Sequence, residues 1–351
     1  MSALRSARLL GSAVVVLLLV GCNPFSGARS MMDEYVERVG RVLDAKPEFS
    51  EIPAAKIIPR RRNRVLPMPD LELGMLDFLS LYGCELQYVV GEKNSVMGKV
   101  MQPLNRLRYE VRFIRAAGEC LKTVDNEELQ DVLQKAIVSK RESLPIAIWN
   151  ATWGVEEVET LFTLAKGEYP VDVQDPLTDL ARDARQLNKS VAVLLEQNLE
   201  VDLGFWGKVH QRWQAEYRAG QLINSARLVT ARLGDATRLI RQRLDNRPLC
   251  LNGKSNNQSD IVQGMFFSIY IGKIQPYLAD LRRARTDFIE PLSELAVMQS
   301  EVMPPGFQEW SRSTLALGGP ESVWANLDNA VKTHTKAWQA LLEQCGLRPG
   351  A

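Results

Sequence analysis

Residues 177–201, LTDLARDARQLNKSVAVLLEQNLEV, carry the pattern on which the reading of the fold turns. Leu177, Leu180, Ala184, Leu187, Val191, Leu194, Asn198 and Val201 alternate steps of three and four, which on a helix of 3.6 residues per turn line one face. Beyond the breaks at Gly204 and Gly207 the same steps return at Leu222, Ala226, Val229, Leu233, Ala236 and Ile240, ending before Pro248. Two long helices separated by a short break are expected to pack as an antiparallel hairpin. Asp175-Pro176 offers an N-cap followed by proline at the first helical position, a start signal for the first of them.

Helical spacing extends outward in both directions. A first helix is expected over Met32–Ala45, with Tyr35, Val36, Val39 and Leu43 along one side. Pro53, Pro59, Pro67 and Pro69 then punctuate a stretch poorly suited to regular structure, apart from a short strand expected near Lys56–Ile58. From Leu71 the pattern is helical again. Leu104, Leu107, Val111 and Ile114 form a stripe, and Asp125 with Glu128 has capping-box spacing ahead of Leu129. A third apolar helix is expected over Ile261–Met298, kinked or divided by Pro276 and Pro291, and a last one from Pro320 through Trp324, His334 and Trp338 to Cys345. Strand-like alternation is scarce. The expected fold is all-α, an irregular helical N-terminal region (32–170) followed by long antiparallel helices forming a bundle (171–351), the two regions being either separate or one continuous domain.

The N-terminus reads as a targeting signal. Arg5 and Arg8 precede an apolar run from Leu9 to Val20, shorter than the roughly 20 residues a spanning helix needs. Leu19-Val20-Gly21-Cys22 looks like a bacterial lipobox, so residues 1–21 are expected to be a signal peptide and Cys22 the lipidated residue, followed by a tether over residues 22–31. Losing Arg5 and Arg8 from 43 Lys+Arg, against 42 Asp+Glu, leaves the chain near neutrality. No global charge bias draws it to nucleic acid, so acyl chains on Cys22 are expected to hold it to the membrane. Asn23, where an inner-membrane retention signal usually has Asp, points to the inner leaflet of the outer membrane, facing the periplasm. Four further cysteines, Cys84, Cys120, Cys250 and Cys345, allow three connectivities in that oxidising compartment; neighbours in sequence are paired here as Cys84–Cys120 and Cys250–Cys345. With no Cys-x-x-Cys and no Cys/His cluster, neither a metal nor a cofactor is expected.

Several stretches in order carry a resemblance: Gly74-Met-Leu-Asp-Phe through Cys84, Gly91-Glu-Lys-Asn-Ser, Arg108-Tyr-Glu-Val-Arg-Phe to Cys120, Trp149-Asn150-Ala151-Thr152, Tyr270-Ile-Gly-Lys-Ile-Gln-Pro-Tyr-Leu278 and the closing Cys345-Gly-Leu. Together they make the chain similar to the domain of unknown function 3080 family of gammaproteobacterial lipoproteins. The resemblance implies an envelope location and transfers no catalytic residue, substrate or cofactor.

Candidate sites follow from the residues alone. Arg60, Arg61, Arg62 and Arg64 in the proline-rich stretch, with Arg108, Arg112 and Arg115 along one helix, form an anion-binding candidate if the fold unites them, because guanidinium forks grip phosphate or carboxylate bidentately. The competing reading pairs them with local acids. Trp149 and Asn150 are read either as a ligand-contacting loop or as a buried indole beside an amide that bridges backbone. Gly91–Val100 fails the spacing of a phosphate loop. His334 lies on an apolar stripe and reads as a core histidine, and His210 shares a face with Trp206, Trp213 and Tyr217. The expected function is a lipid-anchored binding or assembly module with an envelope protein or anionic envelope ligand as partner. The alternative is an envelope hydrolase or lipid-modifying enzyme with an Arg-lined pocket.

Overall fold

The computed structural model describes residues 27–69, 81–94, 100–172 and 177–347. Cys22, the lipobox, Gly74–Phe78 and Asp175-Pro176 lie outside these residues. The order of elements is α1 (Ala28–Leu43), α2 (Glu85–Asn94), α3 (Pro103–Leu121), α4 (Glu127–Thr152), the short α5 (Glu157–Leu161), α6 (Thr178–Leu195), α7 (Trp206–Ala215), α8 (Arg218–Asn246), α9 (257–298), α10 (Pro305–Thr314) and α11 (Val323–Glu343). Single 3-10 turns occur at Arg61–Asn63 and Leu164–Lys166. No strand occurs among the described residues. The buried side chains form one contiguous cluster from Ala28 to Cys345.

The longest regular helix, α8, is the axis. Its apolar residues Leu222, Ala226, Val229, Leu233, Ala236 and Ile240 are all fully buried, packed between α1 and α11. α1 contributes Met32, Tyr35, Val36, Val39 and Leu43, an i, i+3, i+4, i+7, i+11 stripe that is buried throughout. It ends where Asp44 takes a left-handed conformation (φ 55°). At the other end of the axis, Gly220 lets α8 lie directly against the turn after α5: a Cβ there would fall 1.9 Å from the Thr163 carbonyl oxygen. α3 and α4 form a separate antiparallel pair with a buried ion pair between them, Lys140 Nζ to Glu110 at 2.8 Å. Arg106 Nε also meets Glu110, at 2.5 Å.

Prolines shape two helices without ending them. α4 runs through Pro145, which cannot bond the Arg141 carbonyl; that oxygen accepts instead from Gln197 Nε2 at 3.4 Å. Gln197 is itself held at φ 63° just past α6. In α9 the α-helical hydrogen bonding widens to π-helix over Phe266–Ile274 and Arg285–Ile289. Each widened stretch stops two residues before a proline. Gln275 N–H bonds back five residues to Tyr270 O, and Glu290 N–H to Arg285 O. Pro276 and Pro291 then occupy the second positions of the next α-helical segments, within the first turn. The expected kinks are thus absorbed as π turns.

Several expectations need correction. The stripe of residues 177–201 breaks at Leu195, and α6 packs on the last part of α9 (290–298), with further contacts to α4 and α7, rather than forming a hairpin with α8. Periodicity identifies a buried face but not its partner. The N-cap of α4 is Asn126, whose side chain accepts from Leu129 N at 3.0 Å, and not Asp125. Residues 56–58 form no strand. α1 begins at Ala28, within the stretch expected to be tether.

Both disulfides pair as the sequence suggested, Cys84–Cys120 and Cys250–Cys345. They close loops with sequence separations of 36 and 95 residues, the second tying the end of α11 to the segment after α8. Each is expected to contribute about 4 kcal/mol in the chain-entropy picture. Reduction without denaturant is expected to lower the thermal midpoint by more than 5 °C, and Cys250→Ser/Cys345→Ser by more than Cys84→Ser/Cys120→Ser, checked by calorimetry on the two double variants.

Candidate functional site

The α8 sequence puts Ile223, Arg227, Thr230 and Ala231 at i, i+4, i+7 and i+8, one strip of helix surface. That strip is the floor of a groove of about 700 Å³, within the range of small-molecule sites. One wall is the extended segment from Ser50 to Lys56; the other is the end of α10 and the start of α11, with Ser313, Thr314, Glu321, Val323 and Asn326. Pro53, Ala54, Ala55, Ile223, Ala231 and Val323 make much of the lining apolar.

The Ser50 wall is fixed by charges. Buried Asp235 on α8 accepts from Ser50 N at 3.2 Å and from Ser50 Oγ at 2.5 Å. Arg232, one turn earlier, donates to Asp235 at 3.2 Å, to Ser50 O at 3.0 Å and to Asp33 of α1 at 2.5 Å. Arg238 joins from the other side, 2.6 Å from Asp235. Lys56 Nζ fastens the far end to Glu321 at 3.4 Å and Glu309 at 3.6 Å. The opposite wall is held by Ser322, which caps α11 by accepting from Trp324 N and Ala325 N, and by buried Trp324, whose indole donates to Thr314 O at 2.8 Å.

Within the groove, Arg227 stands apart. It is half-buried, and among the described residues it makes no hydrogen bond, ion pair or ring contact. Burial pushes its pKa below the usual arginine range, with no carboxylate close enough to offset the loss of solvent; a guanidinium nevertheless stays charged at neutral pH. The hydroxyls around it are committed, Thr230 Oγ1 to Ala226 O at 2.7 Å and Ser313 Oγ to Trp310 O at 2.9 Å. Sequence reading passed over Arg227. The available signal was the lack of any acid three or four residues away (Ile223, Asn224, Thr230, Ala231), whereas Arg232 and Arg238 flank Asp235 at three.

The seven arginines singled out from sequence do not line this groove. Arg64 is wholly buried, donating to Trp153 O, to Val155 O at 3.3 Å and to Glu159 at 2.9 Å. Arg61 reaches Gly154 O at 3.1 Å and Glu156 at 3.2 Å. These two clamp the turn between α4 and α5. Arg60 and Arg62 are exposed. On α3, Arg108 donates to Leu203 O at 2.9 Å, while Arg112 and Arg115 form exposed pairs with Glu92 and Glu200. Trp149 and Asn150 lie in the last turn of α4, not in a loop. Trp149 Nε1 donates to Arg64 O at 2.7 Å, and the Asn150 amide both accepts from Leu66 N and donates to Leu66 O at 2.8 Å. Arg64→Ala is expected to cost about 3 kcal/mol in urea unfolding, because it strands buried carbonyls, against less than about 0.5 kcal/mol for Arg62→Ala.

Neither histidine faces the groove. His334 is fully buried, with Tyr35 Oη at 2.5 Å and Trp338 Nε1 at 3.0 Å from Nε2, and Thr237 Oγ1 at 2.9 Å from Nδ1. Thr237 gives its own proton to Leu233 O, so Nδ1 carries the hydrogen and Nε2 accepts. Burial drives the His334 pKa down to about 3. His210, donating from Nε2 to Ala151 O at 3.0 Å, is shifted down too, first by burial. A histidine kept neutral in the fold binds its proton only on unfolding, so stability is complete above pH 6.5 and declines as pH falls toward 3. The slope for His334 is roughly 1 kcal/mol per pH unit. Denaturant titrations between pH 7 and 4 are expected to show this loss, and His334→Phe to flatten most of it, leaving the His210 share.

Among the described residues no cluster of three His, Cys, Asp or Glu is placed to hold a metal ion, and no helix is long and apolar enough to cross a membrane. No curated protein and no solved structure matches this chain. The family described as "Protein of unknown function (DUF3080)" matches residues 32–349. The match takes in α1 from Met32, every later helix among the described residues, both disulfides and the groove, and the chain belongs to that family.

Proposed function

We propose that this chain is a lipid-anchored protein of the bacterial envelope, held by acyl chains on Cys22 at the inner leaflet of the outer membrane and facing the periplasm, where it works as a binding module. The observation that carries the binding role is the groove on α8, a concavity whose two walls are braced by a buried charge network and a capped helix, and whose floor offers an uncommitted guanidinium. The lining hydroxyls of Thr230 and Ser313 are spent on backbone carbonyls, and no imidazole or thiol stands among the lining residues, so the groove favours holding a ligand over attacking one. The hydrolase alternative rested on the Arg60–Arg64 and Arg108–Arg115 groups meeting at an open cleft; the contacts of Arg61, Arg64 and Arg108 support a structural use instead.

Two disulfides suit an oxidising compartment. From Cys22 to the start of α1 the chain can span at most about 20 Å, so anchoring would keep the helical body close to the bilayer. Metabolic labelling with a palmitate analogue is expected to mark the wild type in the outer-membrane fraction and to leave Cys22→Ala unlabelled and redistributed. Equal labelling of the two would overturn the anchoring.

A further inference from the structure

We propose that the α8 groove binds amphiphiles bearing a single negative charge, with Arg227 as the anchor of the anionic head and the apolar residues beside it as the seat of the chain. This rests on reading the groove as a binding site and specifies its ligand.

Charge bookkeeping within the groove sets the valence. Four charged residues line it: Arg227, Lys56, Glu51 and Glu321. Lys56 is already shared between Glu321 and Glu309. Arg227 has neither a counter-charge nor a hydrogen-bond acceptor among the described residues, yet it has given up part of its hydration. A half-buried guanidinium left in this state is costly, and an anionic group offering two oxygens removes that cost with charge-assisted bonds. With Lys56 held by Glu321 and Glu309, a second negative charge on the ligand would find no further free cation among the lining residues. A carboxylate or a phosphodiester is matched by Arg227 alone; a doubly ionised phosphate monoester brings a charge that stays unmatched and must be desolvated.

The body of the ligand is set by the rest of the lining. Ile223 and Ala231 flank Arg227 on the helix, Val323 faces from α11, and Pro53, Ala54 and Ala55 close the other side without a polar side chain among them. Small residues at 54, 55 and 231 leave the depth that larger ones would fill. With the Thr230 and Ser313 protons donated to backbone, the Ser50 hydroxyl given to Asp235 and Thr314 Oγ1 set 3.3 Å from Ser313 Oγ, Arg227 and the Asn326 amide are the donors left to meet the head. One cationic anchor beside an apolar trough is the complement of an acyl chain with a monoanionic terminus.

The test uses the full chain in a neutral maltoside, titrated calorimetrically with octanoate, octyl methyl phosphate, octyl phosphate and octanol, with detergent blanks subtracted. Octanoate and the phosphodiester are expected to bind, octanol and the dianionic octyl phosphate at least tenfold more weakly. Arg227→Gln is expected to lose at least tenfold for octanoate with octanol unchanged, and Arg227→Lys to recover part of it. Ala231→Phe, which fills the trough, is expected to weaken all four probes; unchanged far-UV circular dichroism and thermal midpoints certify the folds. Octanol binding as tightly as octanoate, with Arg227→Gln without effect, would keep the groove as a binding site and overturn the charge assignment. Octyl phosphate binding best would overturn the single-charge limit. No binding of any probe, or binding indifferent to Ala231→Phe, would overturn both the assignment and the groove as the site. Preference between octanoate and the phosphodiester separates a fatty-acid source from a phospholipid one.

Discussion

Three helices drawn from the beginning, middle and end of the chain meet at one buried imidazole. Tyr35 of α1 donates to His334 Nε2, Trp338 of α11 donates to Tyr35 Oη at 2.8 Å, and His334 Nδ1 donates to Thr237 of α8. Tyr35 and Tyr270 stack at 5.7 Å, which brings the first π segment of α9 to the same point. Every donor in this chain of bonds has a fixed direction, so the imidazole must be neutral and in one tautomer. A buried network of this kind specifies a register: sliding α11 by one turn against α8 would leave several buried polar atoms without partners. The placement of α1 and α11 on α8 follows from it, and so does the floor of the groove.

α8 therefore serves three environments with three faces. One is the apolar stripe in the core. A second carries Arg232, Asp235 and Arg238, spaced three apart, which capture the backbone near Ser50 that has no hydrogen-bonding structure of its own. The third, bounded by the segment so captured, is the groove with Arg227. The arginines on the second face are neutralised by a carboxylate on the same helix; Arg227, a turn and a half earlier, is not. The contrast within one helix is what separates a structural guanidinium from an available one.

The prolines illustrate a different economy. Pro145 leaves a carbonyl that a glutamine from the next layer satisfies, and Pro276 and Pro291 are each preceded by a widened helical turn. In all three cases the helix survives because the missing donor is compensated locally or by a neighbour. A proline in an apolar helical pattern thus marked a change of hydrogen-bond register rather than a boundary.

Helical content, the two disulfide pairings, the burial of His334 and the stripes of α1, α8 and α11 were legible in the sequence, because each depends on spacing along one helix or on the order of the cysteines along the chain. The Asn150 amide bridge was also among the readings the residues allowed; Arg112 and Arg115 do meet acids, but Glu92 and Glu200 rather than neighbours in sequence. What the sequence could not carry was partnership. Leu177 to Leu194 announce a buried face, but only the packed structure assigns it to the end of α9 rather than to α8. Arg64 and Arg227 look alike as letters; one is sealed behind Trp153, and the other opens into a groove whose walls come from residues 50–56 and 313–326. Periodicity is a property of a single helix, fixed by 3.6 residues per turn, whereas a cavity and an unpaired charge are defined by what three distant segments leave between them.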